Sequence, residues 1–371
     1  MIAVRLPAGA QFRAVAALRG DFIGMSDYYQ AKGRIINACL SGLNAELFAT
    51  FRSDDRVRIN AGAFGTAEMR LPEIYEGKFG LDDQMLFKSL QMYPGHRLLS
   101  GIDVHIDCQY GAGGLSTSSS VAAAIHAFLR KIFNLPDDPW DMVHKVIMTE
   151  PHRYGRQDQL AVVYGGINMW EMQAEQFDNA APLPLKFKPV RRYPLILCSG
   201  AETALAESIL LYESGIHAGA SQILQGVIDA FKKNPKEIQG KFDIMSKLAL
   251  ELWKVLNSHL NSSMEMAEQL GYLFNLVRDA HSSLHPDVMN ARLTALIEAG
   301  LKAGATGARV TGAGGRGVLM YAVPSHKRAE LEATLDKVNT PEPGSKKRIY
   351  GKIQRFAGFD HSGARCWVAK F

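Results

Sequence analysis

The segment YGAGGLSTSSSVAAAIHAFL, Tyr110 to Leu129, restricts the fold more than any other stretch of the chain. Gly111, Gly113 and Gly114 are followed by five hydroxyl residues, Ser116, Thr117, Ser118, Ser119 and Ser120. Val121, Ala124, Ile125, Phe128, Leu129 and Ile132 then recur at the spacing of one buried helix face. The glycines and hydroxyls therefore stand at a helix N-terminus. Unpaired N–H groups and the positive end of the macrodipole suit that end to an anion. One serine is enough to cap a helix, and this segment carries more than capping needs. On these residues alone, a phosphate cradle and a capped glycine turn are both open readings.

Such a helix needs a sheet to cover. GIDVHIDC, Gly101–Cys108, alternates like a half-buried strand just before it. Further strands are expected at Ala14–Ala17, Arg34–Leu40, Glu46–Phe51 and Arg56–Ile59, with a short turn at Gly24–Tyr29. A helix is expected over 83–94, and another at Trp140–Thr149 that leads into a polar turn, Glu150–Gln159. Residues 160–173 read as a Gly-Gly turn and a strand ending in NMWEM. A stretch rich in Pro, Lys and Arg, Pro182–Tyr193, precedes a strand at Pro194–Cys198. It divides the expected domains at 1–190 and 191–371. The second half reads as mainly helical from Ala201 to Gly304, then strand–loop–strand over Ala308–Val323 and a helix at Lys327–Val338. A final strand pair is expected at Lys352–Phe359 and Arg365–Phe371. Without regular βα alternation, this order predicts α+β layers and not a doubly wound parallel sheet. With 371 residues, 47% of them hydrophobic, the chain is large enough for two domains.

A net charge of +5, with Lys and Arg scattered, suits a small anionic substrate and gives no basic stripe for nucleic acid. Cys39, Cys108, Cys198 and Cys366 form no CxxC pair and read as reduced thiols, not a zinc site. The spacing of His105, His126, His144 and His152 fits no ligand motif. No apolar run reaches membrane-spanning length and no signal-peptide pattern opens the chain, so a soluble cytoplasmic protein is expected.

The tetrapeptide GAGG recurs at Gly312–Gly315, within ARVTGAGGRGVLMYAV. Read literally, GAGGRG satisfies G-x-G-x-x-G. The dinucleotide fingerprint requires a helix after the loop, and here VLMYAV reads as a strand, which argues against a dinucleotide site. The first motif is not a Walker A loop, because no Lys follows its last glycine. Two glycine loops about 200 residues apart, an estimate from their numbering, either meet at one polyanion or are two ordinary turns.

GGLSTSSSVAAA resembles the phosphate loop of the GHMP kinases, and VTGAGGRG resembles their third motif. LRGDFIGMSDYY resembles an altered first motif. GRQDQLAVVYGGINMWEM is similar to the G-x-Q-D-Q…G-G segment of heptose and fucose kinases. The four segments run in the family's order from Arg19 to Gly317. The resemblance implies a ribosomal-protein-like N-terminal α/β domain and a ferredoxin-like C-terminal domain, with the active site between them. It also implies an ATP- and Mg²⁺-dependent kinase that phosphorylates a hydroxyl of a sugar or sugar phosphate. The rivals are a kinase of a non-sugar alcohol (an isoprenoid precursor or cyclitol) and a catalytically silent ligand-binding homologue.

The resemblance further implies residue roles. Gly111, Gly113, Gly114, Ser116, Thr117, Ser118 and Ser119, with Gly312, Gly314 and Gly315, would hold the nucleotide. Ser118 and Glu150 would hold the metal, although the turn from Glu150 to Asp158 is shorter than the family's. Asp158 would be the catalytic carboxylate and Arg19 the first motif's base. Asp27, Tyr28, Gln157, Gly165 and Gly166 would bind the acceptor. Ser116 stands where the family has a glycine. The expected partner is a small molecule, with no nucleic acid and no membrane, in a monomer or homodimer.

Overall fold

A computed structural model describes residues 1–24, 32–62, 65–78, 85–108, 114–150, 155–173, 190–215, 220–258, 260–315, 317–338 and 351–370. In chain order the strands are β1 (Ile2–Val4), β2 (Gln11–Ile23), β3 (Lys32–Phe51), β4 (Arg56–Asn60), β5 (Thr66–Arg70), β6 (His96–Leu98), β7 (Ile102–Cys108), β8 (Ile167–Gln173), β9 (Val190–Leu195), β10 (Ile209–Glu213), β11 (Gly307–Val310), β12 (Val318–Ala322), β13 (Lys352–Gln354) and β14 (Arg365–Lys370). The helices are α1 (Leu71–Tyr75), α2 (Met85–Gln91), α3 (Thr117–Ile132), α4 (Pro139–Thr149), α5 (Gln157–Tyr164), α6 (Ser199–Glu207), α7 (Ala220–Lys233), α8 (Pro235–Asn257), α9 (Ser263–Ser282), α10 (Ala291–Lys302) and α11 (Arg328–Val338).

The larger sheet has eight strands in the order β14-β2-β3-β7-β4-β5, with β8 and β9 continuing from β3. Its spine is β3, which is one long strand where the sequence predicts two. Gly42 carries the chain through the expected break at φ +86°, beside a register shift against β2 between Ala17 and Leu18. The first half of β3 pairs with β8 and the second half with β7. Ala14, Ala16, Ala45, Leu47 and Ala49 are buried in one core with Val121, Ala124, Ile125 and Phe128 of α3. The small side chains let α3 lie close to the sheet, which brings its N-terminus level with the end of β2.

The smaller sheet is antiparallel, in the order β11-β12-β10-β13. The two sheets share packing. Leu18 and Phe22 of β2 lie in one core with Leu211, Met320, Leu270 and Phe274.

Four departures from the expected elements matter. β10 interrupts the stretch read as helical, because its first four residues, ILLY, form a buried apolar run that periodicity cannot separate from a buried helix. The polar turn before Leu160 is shorter than expected, and α5 already begins at Gln157. The last two strands are not a pair: β13 joins β10, while β14 crosses back to β2. The larger sheet also takes in β9, so it draws strands from both sides of the expected 190/191 division. Among the described residues, no helix is long and apolar enough to cross a membrane.

Candidate active site

The site is built where the end of β2, the N-terminus of α3, the β11–β12 loop and the start of α5 meet. Ser120 ties α3 to β2 by donating to the Ala17 carbonyl at 3.0 Å, and it also donates to the Ser116 carbonyl at 3.1 Å. The Arg19 N–H donates to the Leu115 carbonyl at 3.1 Å. Ser116, at the N-cap of α3, has φ +58°. Its hydroxyl oxygen is buried without a partner among the described residues. A glycine would adopt this backbone freely, whereas a side chain costs about 1–2 kcal/mol.

The two glycine loops touch. Thr311 Oγ1 donates to the Gly114 carbonyl at 3.0 Å. A Cβ built on Gly312 would come within 2.9 Å of Gly114 Cα, and one on Gly114 within 2.8 Å of Thr311 Oγ1. Gly114 and Gly312 therefore meet with little room for a side chain on either. Gly314 and Gly315 pack elsewhere. They sit at φ +86° and +68° against a 3-10 turn, Pro286–Val288. The Gly315 N–H donates to the Val288 carbonyl at 2.6 Å, and a Cβ on Gly314 would meet Val288 at 2.7 Å. Close backbone packing within the C-terminal domain accounts for these two glycines.

Two carboxylates lie behind the loops. Glu150 follows α4 and is buried. It accepts from Ser118 Oγ at 2.9 Å, from Ser119 Oγ at 2.6 Å and from Gln159 Nε2. Burial pushes its pKa up to about 7, and the charge of Asp158 adds to the rise. Asp158 lies in the first turn of α5, just after the N-cap Arg156. Its Oδ1 accepts from Arg19 Nη2, and Arg19 Nη1 lies 3.0 Å from Asp21 Oδ2. Burial works against the charge on Arg19, but Asp158 and Asp21 outweigh it and raise the guanidinium pKa. The exposures differ sharply: 2% for the Arg19 side chain against 31% for Asp158. A sealed guanidinium thus presents a carboxylate with one open side.

The other sequence expectations fall as follows. Gly111, Gly113, Asp27 and Tyr28 lie outside the described residues. Thr117 opens α3. The Gln157 carbonyl accepts from Asn37 Nδ2 at 3.1 Å, and its Oε1 is buried without a partner among the described residues. Gly165 and Gly166 do not join the cluster. They are packed against the C-terminal segment, with the Gly166 N–H donating to the Asp360 carbonyl at 2.6 Å. A Cβ on Gly165 would overlap the backbone of Gly363. Sequence reasoning gave no role to Asp21, Gln159, Thr311 or Arg309, all of which hold the site together. A signal for Arg309 was present: it is the one charged residue in the short strand GARV.

Comparison with known proteins agrees with this architecture. Residues 84–166 match the GHMP kinases N terminal domain, and residues 263–335 match the GHMP kinases C terminal domain. The mevalonate kinase of Thermococcus sibiricus (strain DSM 12597 / MM 739) is 23% identical over 337 residues, covering 87% of this chain and 92% of that protein. The galactokinase of Lactococcus lactis, solved with galactose, superposes with a TM-score of 0.69 at 18% identity, over 97% of this chain and 95% of that one. The D-glycero-D-manno-heptose 1-phosphate kinase of Bacteroides thetaiotaomicron gives a TM-score of 0.67 at 19% identity, over 96% and 98%. The chain thus carries the N-terminal and the C-terminal GHMP kinase domains, in that order, on the two-domain GHMP kinase fold.

Proposed function

We propose that this protein transfers the γ-phosphoryl group of ATP to a hydroxyl of a small acceptor of the sugar or sugar-phosphate class. The observation that carries the reading is the half-open Asp158 carboxylate held by the buried Arg19 next to the meeting point of the glycine loops. Phosphoryl transfer asks for positioning and charge stabilisation more than covalent chemistry. Backbone N–H groups at the start of α3 supply the first need for the phosphates. Asp158 accepts or orients the acceptor's hydroxyl proton, and Arg19 keeps the carboxylate in place.

Magnesium fits the residues present. Ser118 and Glu150 offer hard oxygen donors side by side, the type this ion prefers alongside phosphate oxygens. A buried carboxyl whose pKa stands near 7 is also a group that a cation would hold in its charged form. When bound, the ion would neutralise charge on the transferring phosphates.

The Gln157–Asp158–Gln159 segment supports a sugar acceptor. The relative named mevalonate kinase favours a second reading, an isoprenoid precursor. ADP release with galactose, a heptose 1-phosphate and (R)-mevalonate separates the two. In whichever arm turns over, Asp158→Asn should lower kcat by roughly 10²-fold or more while Mg·ATP still binds by calorimetry. An Asn variant as fast as wild type removes Asp158 from catalysis. Wild-type protein that binds Mg·ATP but releases no ADP in any arm is a silent ligand-binding homologue.

A further inference from the structure

Four charged residues follow one another across the junction of the two sheets: Arg309, Asp21 and Arg19, all buried, and the half-open Asp158. Arg309 comes from β11 and is fully buried. Its Nη1 donates to the Asp21 carbonyl at 3.0 Å and to the Phe22 carbonyl, and its Nε donates to the Val310 carbonyl at 3.2 Å. Asp21, on β2, is 1% exposed, and neither carboxylate oxygen accepts a well-aligned hydrogen bond among the described residues. The carboxylate is sealed beneath Gly24, where any Cβ would overlap it. The nearest cation to it is Arg19, with Nη1 at 3.0 Å.

A buried carboxylate held by one ion pair and few aligned donors is costly to keep. A neutral residue of the same size would fit this strand without that cost. What the charge achieves is visible at Arg19. A guanidinium facing a lone carboxylate frequently closes on it with two parallel N–H bonds. Here Arg19 meets Asp158 through Nη2 and Oδ1 only, while Nη1 faces Asp21.

We propose that Asp21, fixed from the C-terminal domain by Arg309, is a positioning residue that draws one arm of Arg19 away from Asp158 and so leaves the second Asp158 oxygen open for the acceptor hydroxyl. The proposal rests on the kinase reading of Asp158. It assigns Arg309 the task of holding the β2 backbone at Asp21 and Phe22, so the relation between the domains is felt at the reacting carboxylate.

The test is Asp21→Asn, with Asp21→Ser as a second neutral variant, in the full chain. ADP release is followed with galactose, a heptose 1-phosphate or (R)-mevalonate, whichever wild type turns over, and the crystal structure of each variant is solved. The expected result is a fall in kcat of about tenfold or more, the scale on which outer partners of a functional group act. KM for ATP should stay within about twofold, since the nucleotide loops are untouched, a split that separates chemistry from binding. The variant structures should show Arg19 closed on both oxygens of Asp158. A kcat near wild type, an Arg19 still on one oxygen, or a parallel loss of ATP affinity overturns the proposal. If neither variant folds, Asp21 is a structural residue and the proposal falls. If wild type turns over none of the acceptors, the kinase reading fails by itself. The variant structures then still decide whether Asp21 holds Arg19 off Asp158.

Discussion

At the scale of single residues, the site contains strain and buried charge that substitution can expose. Ser116 holds a left-handed backbone and a buried, unpartnered hydroxyl at the head of α3. Ser116→Gly relieves both, and should raise unfolding stability by about 1 kcal/mol in denaturant melts without weakening ATP binding. Glu150 is the opposite case, a carboxylate whose buried position favours its neutral form. Glu150→Gln should stabilise the metal-free protein at pH 8 by up to about 3 kcal/mol, the value of a shift of some 2.5 pH units, and abolish Mg²⁺-dependent turnover. A melting temperature at or below wild type in EDTA would contradict the first half, and unchanged activity the second. The legibility of these residues was uneven. Ser118 donates to Glu150 and Arg19 to Asp158, so residues far apart in the chain but named together by the resemblance are in contact. The hold of Arg309 on the backbone at Asp21 joins strands nearly 290 positions apart, which no local pattern encodes.

At the scale of elements, the contact between the two glycine loops is the joint that matters. Thr311→Val keeps the side chain's shape and removes the hydrogen bond to the Gly114 carbonyl. The loss should cost about 1 kcal/mol of stability and raise KM for ATP in a folded protein, measured by melts and steady-state kinetics. Gly314→Ala should behave differently, because its Cβ meets Val288 in a backbone region closed to most side chains. It should lower stability by more than 1 kcal/mol, in the range of about 1–3 for such strain, before any kinetic effect is read. Equal stability of the alanine variant and wild type would show that the loop relaxes. The elements that were legible are those with a clean period: α3 from its apolar face and β7 from its alternation. Those that were not are β10, which opens on the apolar run ILLY, and α5, whose first turn, Gln157-Asp158-Gln159, is polar throughout and reads as a loop. Pairing was the least legible feature. β14 and β9 are plausible strands anywhere, and only tertiary packing assigns them to the larger sheet.

At the scale of the whole molecule, buried histidines set the acid limit. His126 bridges three helices and a neighbouring segment through Thr149 at 2.7 Å, Tyr93 at 2.9 Å and Ser89 at 3.3 Å. Burial holds the pKa of His126 and of His281 down at about 3. The unfolded chain binds these protons near pH 6.5 while the native state does not. The stability they support is therefore present above pH 6.5 and is lost as pH falls towards 3. At pH 5 the loss is about 2 kcal/mol for each histidine. Glu150 runs the other way: its folded pKa is raised, so its share of stability declines as pH rises from about 4.5 to about 7. His126→Asn should flatten the pH dependence of unfolding between 6.5 and 5 by about one proton, read from urea melts at several pH values. An unchanged slope would mean that His126 is protonated in the native state.

The return of β14 to β2 also has a consequence for biosynthesis. β2 ends at Ile23 and its neighbour begins only at Arg365. On a ribosome adding roughly 5–20 residues per second, the edge of β2 waits on the order of half a minute for its partner strand. During that interval the backbone groups of β2 on that side are open to any other nascent strand. The Gln11–Val15 stretch of β2 is thus paired last, by β14, and a nascent chain halted before Arg365 would leave the tunnel with that edge still bare.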